Sequence, residues 1–544
     1  MRKVIKISTV NYFAYGYVVD IMEKEKFRIK IADHYNIIEE ENYRCGWFAI
    51  FNPNNVEAKF SITFYYEDQE PTKTEDIRIP SKVQKVLDWE ILEEIVRNKR
   101  WGAKIESNMP LICQASAGTC ARYEKDDRLF RSHYTTMAAT DTSTLWAYPD
   151  GVYICPPTSW SKRMLEPEFV GILNPNEREA EITITTYHAD SSRRKYKLKV
   201  PANRYKWIDM YNVVGKNPSH FGARFISTEP IVVQQDRPVY DAQGSPVQRS
   251  DFNEMCIRGA SLPFEDLEGE EGIGAYNVGY FPGPNSLLVL FNPSKRDTMI
   301  NITFYYEHEE PNECSTSLKA QTSLAFFELL GDSSIISFSL KPERLPSPIK
   351  AEIWGCKVSS TEPLFMQDLC GSGYYYKPSK EDLDRKPFPE SVSTYREDIE
   401  DRLTWNMASR HAATCPSKIW YYADGFLHKP PSEYSKKLIV REWIWILNPS
   451  KRDAEIALHI YQEKSEKNIS SLKVSSERIA GIDMEKVVAY EKDYGVYKRY
   501  SVKIISSEPI VVSHNRGIFK MGDPIQREVA ATMAQPEPLI MKTI

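Results

Sequence analysis

The sequence lacks several features that would assign a protein to a class. No apolar run approaches the roughly 18 residues that a membrane-spanning helix needs, and the segment 1–6 lacks the uninterrupted apolar stretch of a signal peptide. The nine cysteines are an odd number, and no two of them form a Cys-x-x-Cys pair. These absences indicate neither a disulfide framework nor a zinc site of the usual spacing. They predict a cytoplasmic protein with reduced thiols, no metal and no cofactor.

Charge of one sign is not concentrated anywhere in the chain. Lys and Arg number 70 against 75 Asp and Glu, and the two signs are interspersed, for a net charge of −5. This pattern indicates neither nucleic acid nor a membrane surface as a partner. The sequence also lacks a Gly-rich phosphate loop, a Gly-x-Ser-x-Gly elbow and a His-Glu-x-x-His motif. No common enzyme class is therefore indicated.

The sequence does contain an internal repeat. An Asn-Pro phrase occurs at Phe51-Asn52-Pro53, Leu173-Asn174-Pro175, Phe291-Asn292-Pro293 and Leu447-Asn448-Pro449. Each is followed by a Ser-x-x-Pro phrase, at Ser107 to Pro110, Ser227 to Pro230, Ser360 to Pro363 and Ser506 to Pro509. A fixed internal order over such distances indicates one domain type that has been copied four times.

The four copies are of two kinds. Repeats one and three share Ile-Thr-Phe-Tyr-Tyr-Glu-x-x-Glu-Pro at 62–71 and 302–311, whereas repeats two and four align without a gap over 146–174 and 420–448. The chain thus reads A-B-A-B. The predicted domains are 1–124 (repeat one), 145–241 (repeat two), 271–376 (repeat three, with an insertion near 331–350) and 418–520 (repeat four). The predicted linkers are 125–144, 242–270 and 377–417, and the C-terminal tail is 521–544.

Each repeat is predicted to be an antiparallel β-sandwich, jelly-roll-like in type. Ile182 and Ile184 alternate with Thr183 and Thr185 in the two-residue period of a half-buried strand. Asn-Pro favours a turn between strands, since asparagine can bond its own backbone and proline presets φ. The text Gly-x-Pro-x-Gln-Arg recurs at 244–249 and 522–527, which indicates that the tails dock onto the sandwiches. The prediction is an all-β chain of four tandem sandwiches, with a single-chain pseudo-tetramer as one possible packing.

Repeat two resembles the small sensory rhodopsin transducer domain family. The residues that carry the resemblance are Trp146, Asp150-Gly151, Glu168, Ile172-Leu173-Asn174, Ala180 to Ile184, Arg204 and Ser227 to Arg237. Repeat four fits similarly, and repeats one and three fit at the scaffold positions. The resemblance implies a β-sandwich that assembles as a tetramer, within a superfamily proposed to bind small molecules, sugars in particular. The histidine that precedes the glutamate in the family is Pro167 or Arg441 here, so its role is lost.

The two kinds of repeat differ at five matched positions, where the type B repeats carry a charged residue or tryptophan and the type A repeats do not. The type B repeats carry the candidate ligand-binding residues, which are Trp146, Asp150, Glu168, Arg204 and Arg237 in repeat two and Trp420, Asp424, Glu442, Arg478 and Arg516 in repeat four, with His514 beside the last. The matched type A residues are aligned as Asn11/Gly274, Tyr15/Val278, Gly46/Ser286, Val83/Ser323 and Ala117/Cys370. Positions that change together predict one cluster in each type B repeat.

Three functions are compatible with such a cluster. Carboxylates and guanidinium groups can bind paired hydroxyls while an indole covers a ring face, so the leading hypothesis is a non-enzymatic protein that binds a small polar ligand, with a sugar as the first candidate. The alternative is a structural or assembly protein, monomeric or homo-oligomeric, in which the charges form a buried ion-pair network or an A–B contact. A glycan-processing enzyme would need two carboxylates about 5 to 9.5 Å apart across a cleft, and neighbouring arginines oppose a general acid.

Overall fold

The computed structural model describes residues 9–18, 28–31, 35–38, 42–121, 130–153, 164–165, 167–188, 190–215, 219–241, 247–255, 257–258, 276–283, 287–326, 354–371, 407–429, 438–462, 465–488, 496–520 and 523–536. The predicted insertion near 331–350 and most of the predicted linker 377–417 lie outside these residues. No helix within them is long or apolar enough to cross a membrane. The fold is all-β, as predicted, and its sheets are antiparallel.

Repeats one and two are each built from short antiparallel strands. Repeat one has β1 Val10–Tyr17, β2 Arg28–Ile31, β3 Tyr35–Ile38, β4 Asn42–Phe51, β5 Ala58–Tyr65, β6 Thr72–Lys73, β7 Ile77–Ile79, β8 Gln84–Asp88, a 3-10 turn Trp89–Ile91, β9 Arg100–Ser107, β10 Ile112–Ala121 and β11 Phe130–Met137. Repeat two has β12 Ser143–Tyr153, β13 Met164–Leu165, β14 Phe169–Asn174, β15 Ala180–His188, β16 Arg193–Val200, β17 Arg204–Asp209, helix α1 Tyr211–Val214, β18 Ser219–Asp241, β19 Val247–Met255 and β20 Ile257–Arg258.

Repeats three and four follow the same order. Repeat three has β21 Tyr276–Phe281, β22 Leu287–Asn292, β23 Thr298–Tyr306, β24 Asn312–Leu318, β25 Thr322–Phe326, β26 Trp354–Gly371 and β27 Met407–His411. Repeat four has β28 Ser417–Lys429, β29 Leu438–Asn448, β30 Ala454–Tyr461, β31 Glu466–Val474, β32 Arg478–Asp483, helix α2 Met484–Val488, β33 Val496–Lys520, β34 Asp523–Met533 and β35 Gln535–Pro536.

In repeats two, three and four one long strand, β18, β26 or β33, joins the two sheets of the sandwich, whereas in repeat one the separate strands β9 and β10 take its place. In repeat two the first half of β18 pairs with β12 and β15, and its second half pairs with β14 and β19. Pro230, the proline of the Ser-x-x-Pro phrase, lies within β18. Pro230 lies between the ladder to β15, which ends at Ser227, and the ladder to β14, which begins at Val232. A proline is tolerated there because neither ladder needs its missing N–H.

The Asn-Pro asparagine ties the turn to the rest of its sandwich. Asn174 is fully buried, and its Oδ1 accepts from the backbone N of Asn176 at 3.1 Å, as the turn chemistry predicts. Its Nδ2 also donates to the carbonyl groups of Arg178, Val200 and Pro201 at 2.8 to 3.0 Å. The equivalent asparagines in the other three repeats make the same set of bonds. The motif is therefore structural.

The recurring tails dock as strands, as predicted. In each repeat the tail forms one strand that pairs with a strand of the sandwich. These pairs are β11 with β10, β19 with β18, β27 with β26 and β34 with β33. The four tails also lie against one another, since β11 contacts β19 and β34, and β27 contacts the same two strands. The tails thus join all four repeats at one place.

Candidate functional site

The repeat-four cluster consists of Asp424, Glu442, Arg499 and Arg516, which three strands bring together. Asp424 lies on β28 and Glu442 on β29, and the ladder between β29 and β33 sets Glu442 opposite Arg516. Arg516 donates from Nε to Glu442 Oε1 at 2.7 Å and from Nη1 to Asp424 Oδ2 at 3.1 Å. The side chains of Asp424, Glu442 and Arg516 have no exposed surface. One buried guanidinium therefore bridges two buried carboxylates.

Repeat one completes the repeat-four cluster. The Trp47 indole N–H donates to Asp424 Oδ1 at 2.8 Å, and the Ser116 hydroxyl donates to Asp424 Oδ2. Gln114 Oε1 accepts from the backbone N of Asp424 at 3.0 Å. Arg499 covers the Trp47 ring, with its guanidinium carbon 4.5 Å from the ring centre, and Nη1 lies 3.9 Å from Asp424 Oδ1. The cluster is thus part of the interface between repeats four and one.

Glu442 is held by groups of its own repeat. The backbone N of Phe426 donates to Glu442 Oε2 at 2.8 Å, and the Tyr500 hydroxyl donates to the same oxygen. His514, a predicted site residue, is fully buried, with Nε2 3.0 Å from Glu442 Oε1 and its ring stacked on Tyr422. All acceptor positions of this carboxylate therefore face protein groups.

The repeat-two cluster consists of Asp150, Glu168, His220 and Arg237. Arg237 donates from Nη1 to Asp150 Oδ2 at 2.8 Å, and His220 Nε2 lies 3.1 Å from Asp150 Oδ1. Glu168 accepts from the backbone N of Val152 at 2.8 Å and from the Tyr148 hydroxyl. Asp150 and Arg237 are 2% exposed and Glu168 is 0% exposed. This cluster is also closed to solvent.

Repeat three contacts the repeat-two cluster as repeat one contacts the repeat-four cluster. Gln367 Oε1 accepts from the backbone N of Asp150 at 3.2 Å, and the Ser323 hydroxyl donates to the carbonyl of Pro149 at 2.7 Å. Beside these bonds Tyr187 of repeat two packs on Phe291 of repeat three, with ring centres 4.9 Å apart. A type A glutamine thus binds the backbone of a type B aspartate at both interfaces.

Burial and the neighbouring arginines set the pKa values of the cluster carboxylates. Burial opposes ionisation of Asp424, but Arg516 and Arg499 hold its pKa at about 2. Burial likewise opposes ionisation of Asp150, and Arg237 and His220 hold its pKa at about 2. Burial raises the pKa of Glu168 to about 8, although Arg237 and the Tyr148 hydroxyl lower it in part. Among the described residues, no group of three or more His, Cys, Asp or Glu is placed to hold a metal ion.

The two tryptophans of the predicted site lie in the cores of their sandwiches. Trp146 is 2% exposed and its indole N–H donates to the carbonyl groups of Ser143 and Ile231, at 3.2 and 2.8 Å. Trp420 is fully buried and donates in the same way to Ser417 and Ile510. Neither ring presents a face to solvent, so the structure does not place them as a stacking surface.

Arg204 and Arg478 do not join the clusters, so the prediction of a single cluster per repeat is wrong for these two residues. Arg204 pairs with Glu70 of repeat one, and Arg478 pairs with Glu310 of repeat three. The ladder between β14 and β17 sets Arg204 opposite Asn174. Asn174, and therefore Arg204 beside it, lies about 20 Å along the strand from Glu168, at roughly 3.3 Å per residue. Glu70 and Glu310 are the last glutamates of the type A motif, so a type B arginine binds a type A glutamate at each of these contacts.

Strand register also corrects the alignment of the type A repeats. The ladder between β21 and β26 matches Gly279, not Gly274, to Trp146, and places Gly283 at the position of Asp150. Gly274 lies outside the described residues. In repeat three the Asn-Pro asparagine, Asn292, pairs with Thr322. The residue matched to Arg204 is therefore Thr322 and not the predicted Ser323. The contrast in charge survives these corrections, because none of the new residues is charged.

In repeat one an indole occupies the place of the ionic cluster. Trp89 is 1% exposed, and its ring lies where a side chain on Gly46, the match of Glu168, would project. Trp89 packs edge-on against Trp101, with ring centres 4.9 Å apart. The sandwich of repeat one therefore fills with aromatic side chains the volume that the type B sandwiches fill with ion pairs.

Sequence reasoning missed the partners that complete the clusters. These are His220, Arg499, Tyr148, Tyr500, Trp47, Ser116, Gln114 and Gln367. One signal was available for the last two, because both type A repeats carry glutamine seven residues after the serine of Ser-x-x-Pro. The type B repeats have Gln234 and Ser513 at that position, so the signal is weak without the structure.

We expect the double variant Arg204→Ala, Arg478→Ala to lose little stability. Glu70 and Glu310 are 82% and 80% exposed, and ion pairs with such exposure contribute about 1 kcal/mol or less each. The measurement is the midpoint of urea unfolding, with Lys199→Ala as a control for loss of an exposed pair. A loss above about 4 kcal/mol would show instead that these arginines hold the repeats together.

Comparisons with known proteins agree with this topology. A family model described as Anabaena sensory rhodopsin transducer matches residues 39–124, 142–245 and 416–532, which together are more than half of the chain. The chain belongs to this family. The matches fall on repeats one, two and four, and repeat three has the same order of paired strands. The sensory rhodopsin transducer fold is thus present four times in one polypeptide.

Two solved structures are similar over the length of one repeat. The Anabaena sensory rhodopsin transducer is 31% identical, with 17% of this chain and 95% of that chain covered and a TM-score of 0.15. A protein described as Thermotoga maritima 1070 is 16% identical, with 22% and 95% covered and a TM-score of 0.18. A comparison with curated proteins gives no match.

Proposed function

We propose that this protein is a non-enzymatic scaffold whose four sandwiches form one closed, single-chain pseudo-tetramer. The observation that carries the proposal is the contact between repeats four and one. Although Asp424 and Gln114 are 310 positions apart in the chain, they meet as Asp150 and Gln367 do between repeats two and three. The first and last repeats are therefore joined by the same chemistry as the two central ones.

Two kinds of contact would alternate around this ring. Contacts within each A-B pair use Arg204 with Glu70 and Arg478 with Glu310. Contacts between the pairs lie at the two ionic clusters, where repeat one donates to the Asp424 carboxylate and repeat three accepts from the backbone N of Asp150. The Asp424 charge then acts as an assembly determinant, because a buried charge without its partners costs several kcal/mol.

A covalent tetramer would fix the number and the order of its subunits. Single-domain relatives of this type are expected to assemble from identical chains, in which all subunit surfaces are the same. Here the type A and type B repeats differ in sequence, so two kinds of outer surface are presented in a constant ratio. We infer a role in holding partner proteins in a defined arrangement. The cysteines are scattered along the sequence, and Cys113, Cys314 and Cys356 are buried, which favours the cytoplasm as the compartment.

Small-angle X-ray scattering tests the proposal. For 544 residues packed as one body, the radius of gyration is expected to be about 24 Å. One sandwich alone would have a radius of gyration of about 14 Å by this scaling, and four of them placed end to end in a line would give about 40 Å. Sedimentation of the same sample gives the mass, so that an extended monomer is distinguished from a compact oligomer. A monomer near 40 Å would overturn the proposal.

Binding of a small polar ligand, a sugar in the first place, stays a prediction. In the structure the carboxylates of both clusters accept from protein donors, so a sugar would have to displace Trp47 and Ser116 from Asp424, or Tyr148 from Glu168. A thermal-shift screen with sugars, sugar acids and sugar phosphates can detect it, since a ligand at 100 times its dissociation constant stabilises by about 2.7 kcal/mol. A shift that Arg237→Ala or Arg516→Ala abolishes would favour this second candidate.

A further inference from the structure

The four sandwiches end in different strands at the edge of their first sheet. The edge strands are β6 and β7 in repeat one, β16 in repeat two, β24 in repeat three and β31 in repeat four. The edge of repeat one is divided into pieces of two and three residues, and the pairing of β31 with β30 is interrupted by a shift of register. In contrast, β16 pairs with β15 without a break over all eight of its residues. A long, regular edge of this kind presents a row of backbone groups to which a further strand can bond.

The edge of repeat two also differs from the other three in charge. Five of the eight residues of β16 are Lys or Arg, none is acidic, and all five are exposed. β24 contains one glutamate and no Lys or Arg, whereas β31 contains two lysines and one glutamate. Both lysines of β31 bind groups of their own repeat, Lys473 to Asp453 at 2.6 Å and Lys467 to the carbonyl of Val487 at 2.8 Å. Among these described edges, β16 is therefore the basic one.

The positive charge on the outer face of β16 is balanced at one end of the strand. Lys199 Nζ lies 2.8 Å from a carboxylate oxygen of Glu179 and of Glu181. Further along the strand, Lys195 and Lys197 pair with two threonines of β15. A strand laid beside β16 would meet exposed positive charge at these two positions. Acidic side chains fit there, because opposite charges on neighbouring strands stabilise a sheet.

The inner face of β16 is apolar. Tyr196 and Leu198 pack against the core of the sandwich and are half-buried. They pair with Ile184 and Ile182 on one side, and within the described residues no strand covers their other side. An apolar side chain placed beside them would extend the core. Since successive side chains of a strand point to opposite faces, the segment that fits β16 alternates acidic and apolar residues.

A second copy of this chain does not fit the same edge. Pairing two β16 strands would bring the lysines and arginines of both copies together, and like charges on neighbouring strands destabilise a sheet. Lysine on an edge strand is a common obstacle to such self-pairing. The same charges attract an acidic segment, so they select against one kind of occupant and in favour of another.

We propose that β16 binds one extended segment of a partner protein, in which acidic and apolar residues alternate, by adding it to the sheet as a further strand. Main-chain hydrogen bonds supply the affinity, and the two faces of β16 supply the specificity. This inference rests on the proposed scaffold role, because it names the class of partner that the scaffold holds. Since the described edges of the other repeats lack this charge, each chain holds one such segment.

The test uses the full-length protein and a fluorescent peptide of about eight residues in which Val and Glu alternate, with binding followed by fluorescence anisotropy. Wild type is expected to bind one peptide per chain. Lys195→Glu, Lys197→Glu should lose about 10-fold or more in affinity. The matched control on β31, Lys467→Glu, Lys473→Glu, should keep the wild-type affinity. A peptide in which Val and Lys alternate should bind the β16 variant better than wild type, which also shows that this variant is folded.

Two further measurements locate the contact. Hydrogen exchange should show that the peptide protects the amides of β16 and leaves those of β31 unchanged. A peptide of the same sequence with all its amides N-methylated keeps its charge but cannot pair as a strand, so it should not bind. Equal binding of the methylated peptide, or displacement of the peptide by a single-stranded oligonucleotide of the same net charge, would show a general anion surface and overturn the proposal.

Other outcomes would also overturn it. One is the absence of peptide binding up to about 1 mM. Another is a gain in affinity when the acidic residues of segment 265–271, five of its seven residues, are replaced by glutamine, since this segment of the chain would then be the occupant. A dimer that Lys195→Glu, Lys197→Glu abolishes would assign the edge to a second copy. If scattering from the same sample still shows one compact body, the scaffold proposal survives and only the partner strand is rejected.

Discussion

Replacing Arg516 with methionine should lower the free energy of unfolding by about 3 to 5 kcal/mol, the range for removing one partner of a buried ion pair. The guanidinium binds Asp424 and Glu442, and none of the three side chains is exposed. Methionine fills much of the volume but leaves both carboxylates without this donor. The loss should therefore come from uncompensated charge, with packing as a smaller contribution.

Chemical denaturation followed by tryptophan fluorescence measures this loss, because Trp47 lies within the interface that the cluster builds. The matched control is Arg452→Met. Arg452 pairs with Glu508 at 2.8 Å, but its side chain is 77% exposed, so the change should cost less than about 1 kcal/mol. Adding Asp424→Asn and Glu442→Gln to Arg516→Met should recover part of the loss. Equal effects of the two arginine substitutions would refute the account of a closed ionic interface.

The pH dependence of the same variant checks the sign of the interaction. Arg516 and Arg499 hold the pKa of Asp424 at about 2 against the opposing effect of burial. A lowered pKa contributes stability above the unfolded value of about 3.9 that is lost as the pH falls through the folded one. The difference between wild type and Arg516→Met should accordingly shrink below pH 4. A difference that grows in acid would contradict the assignment.

Gly171→Ala should separate repeats one and two, with a loss of about 3 kcal/mol, the upper part of the range for an overpacked interior. Gly171 lies on β14, and a Cβ added to it would lie 1.8 Å from the carbonyl oxygen of Ala14 in repeat one. This obstacle is backbone, and it is fixed in place by the bond from the Ala14 amide to Gln234 Oε1 at 2.9 Å. The clash can be relieved only if the two sandwiches move apart.

Two measurements separate this effect from local unfolding. Lys206 Nζ lies 3.3 Å from Glu67 Oε1 across the same interface, so a carbodiimide should join these side chains in wild type and not in Gly171→Ala. Gly102→Ala is the control, since its added Cβ would lie 3.2 Å from Leu173 and needs a shift of only a few tenths of an ångström. If Gly171→Ala kept both the cross-link and wild-type stability, the close contact of repeats one and two would be disproved.

Repeat four shows that the fold itself does not require this glycine. The residue matched to Gly171 is Trp445, which is 8% exposed and packs against Gly481. The two A-B pairs therefore use different shapes at corresponding contacts. This difference gives each type B repeat its own partner and disfavours exchange between the pairs.

The strands, the repeats and the tails could be predicted from sequence because their signals are local. The alternation around Ile182 and Ile184 places them inside the sandwich, and both are buried. The Asn-Pro turn depends on one side chain and its neighbouring backbone. The co-ordinated contrast in charge between the A and B repeats correctly singled out Asp150, Glu168 and Arg237 as residues that lie together.

Only the tertiary structure decided what those charges contact. Arg204 and Arg237 look alike in sequence, but strand register sends the first to Glu70 and the second to Asp150. The partners of Asp424 in repeat one lie more than 300 residues away, at Trp47 and Ser116, and no local period encodes such a pairing. Sequence pattern thus determined which residues face inward in each sandwich, whereas packing between sandwiches decided which of the inward charges are matched and closed to water.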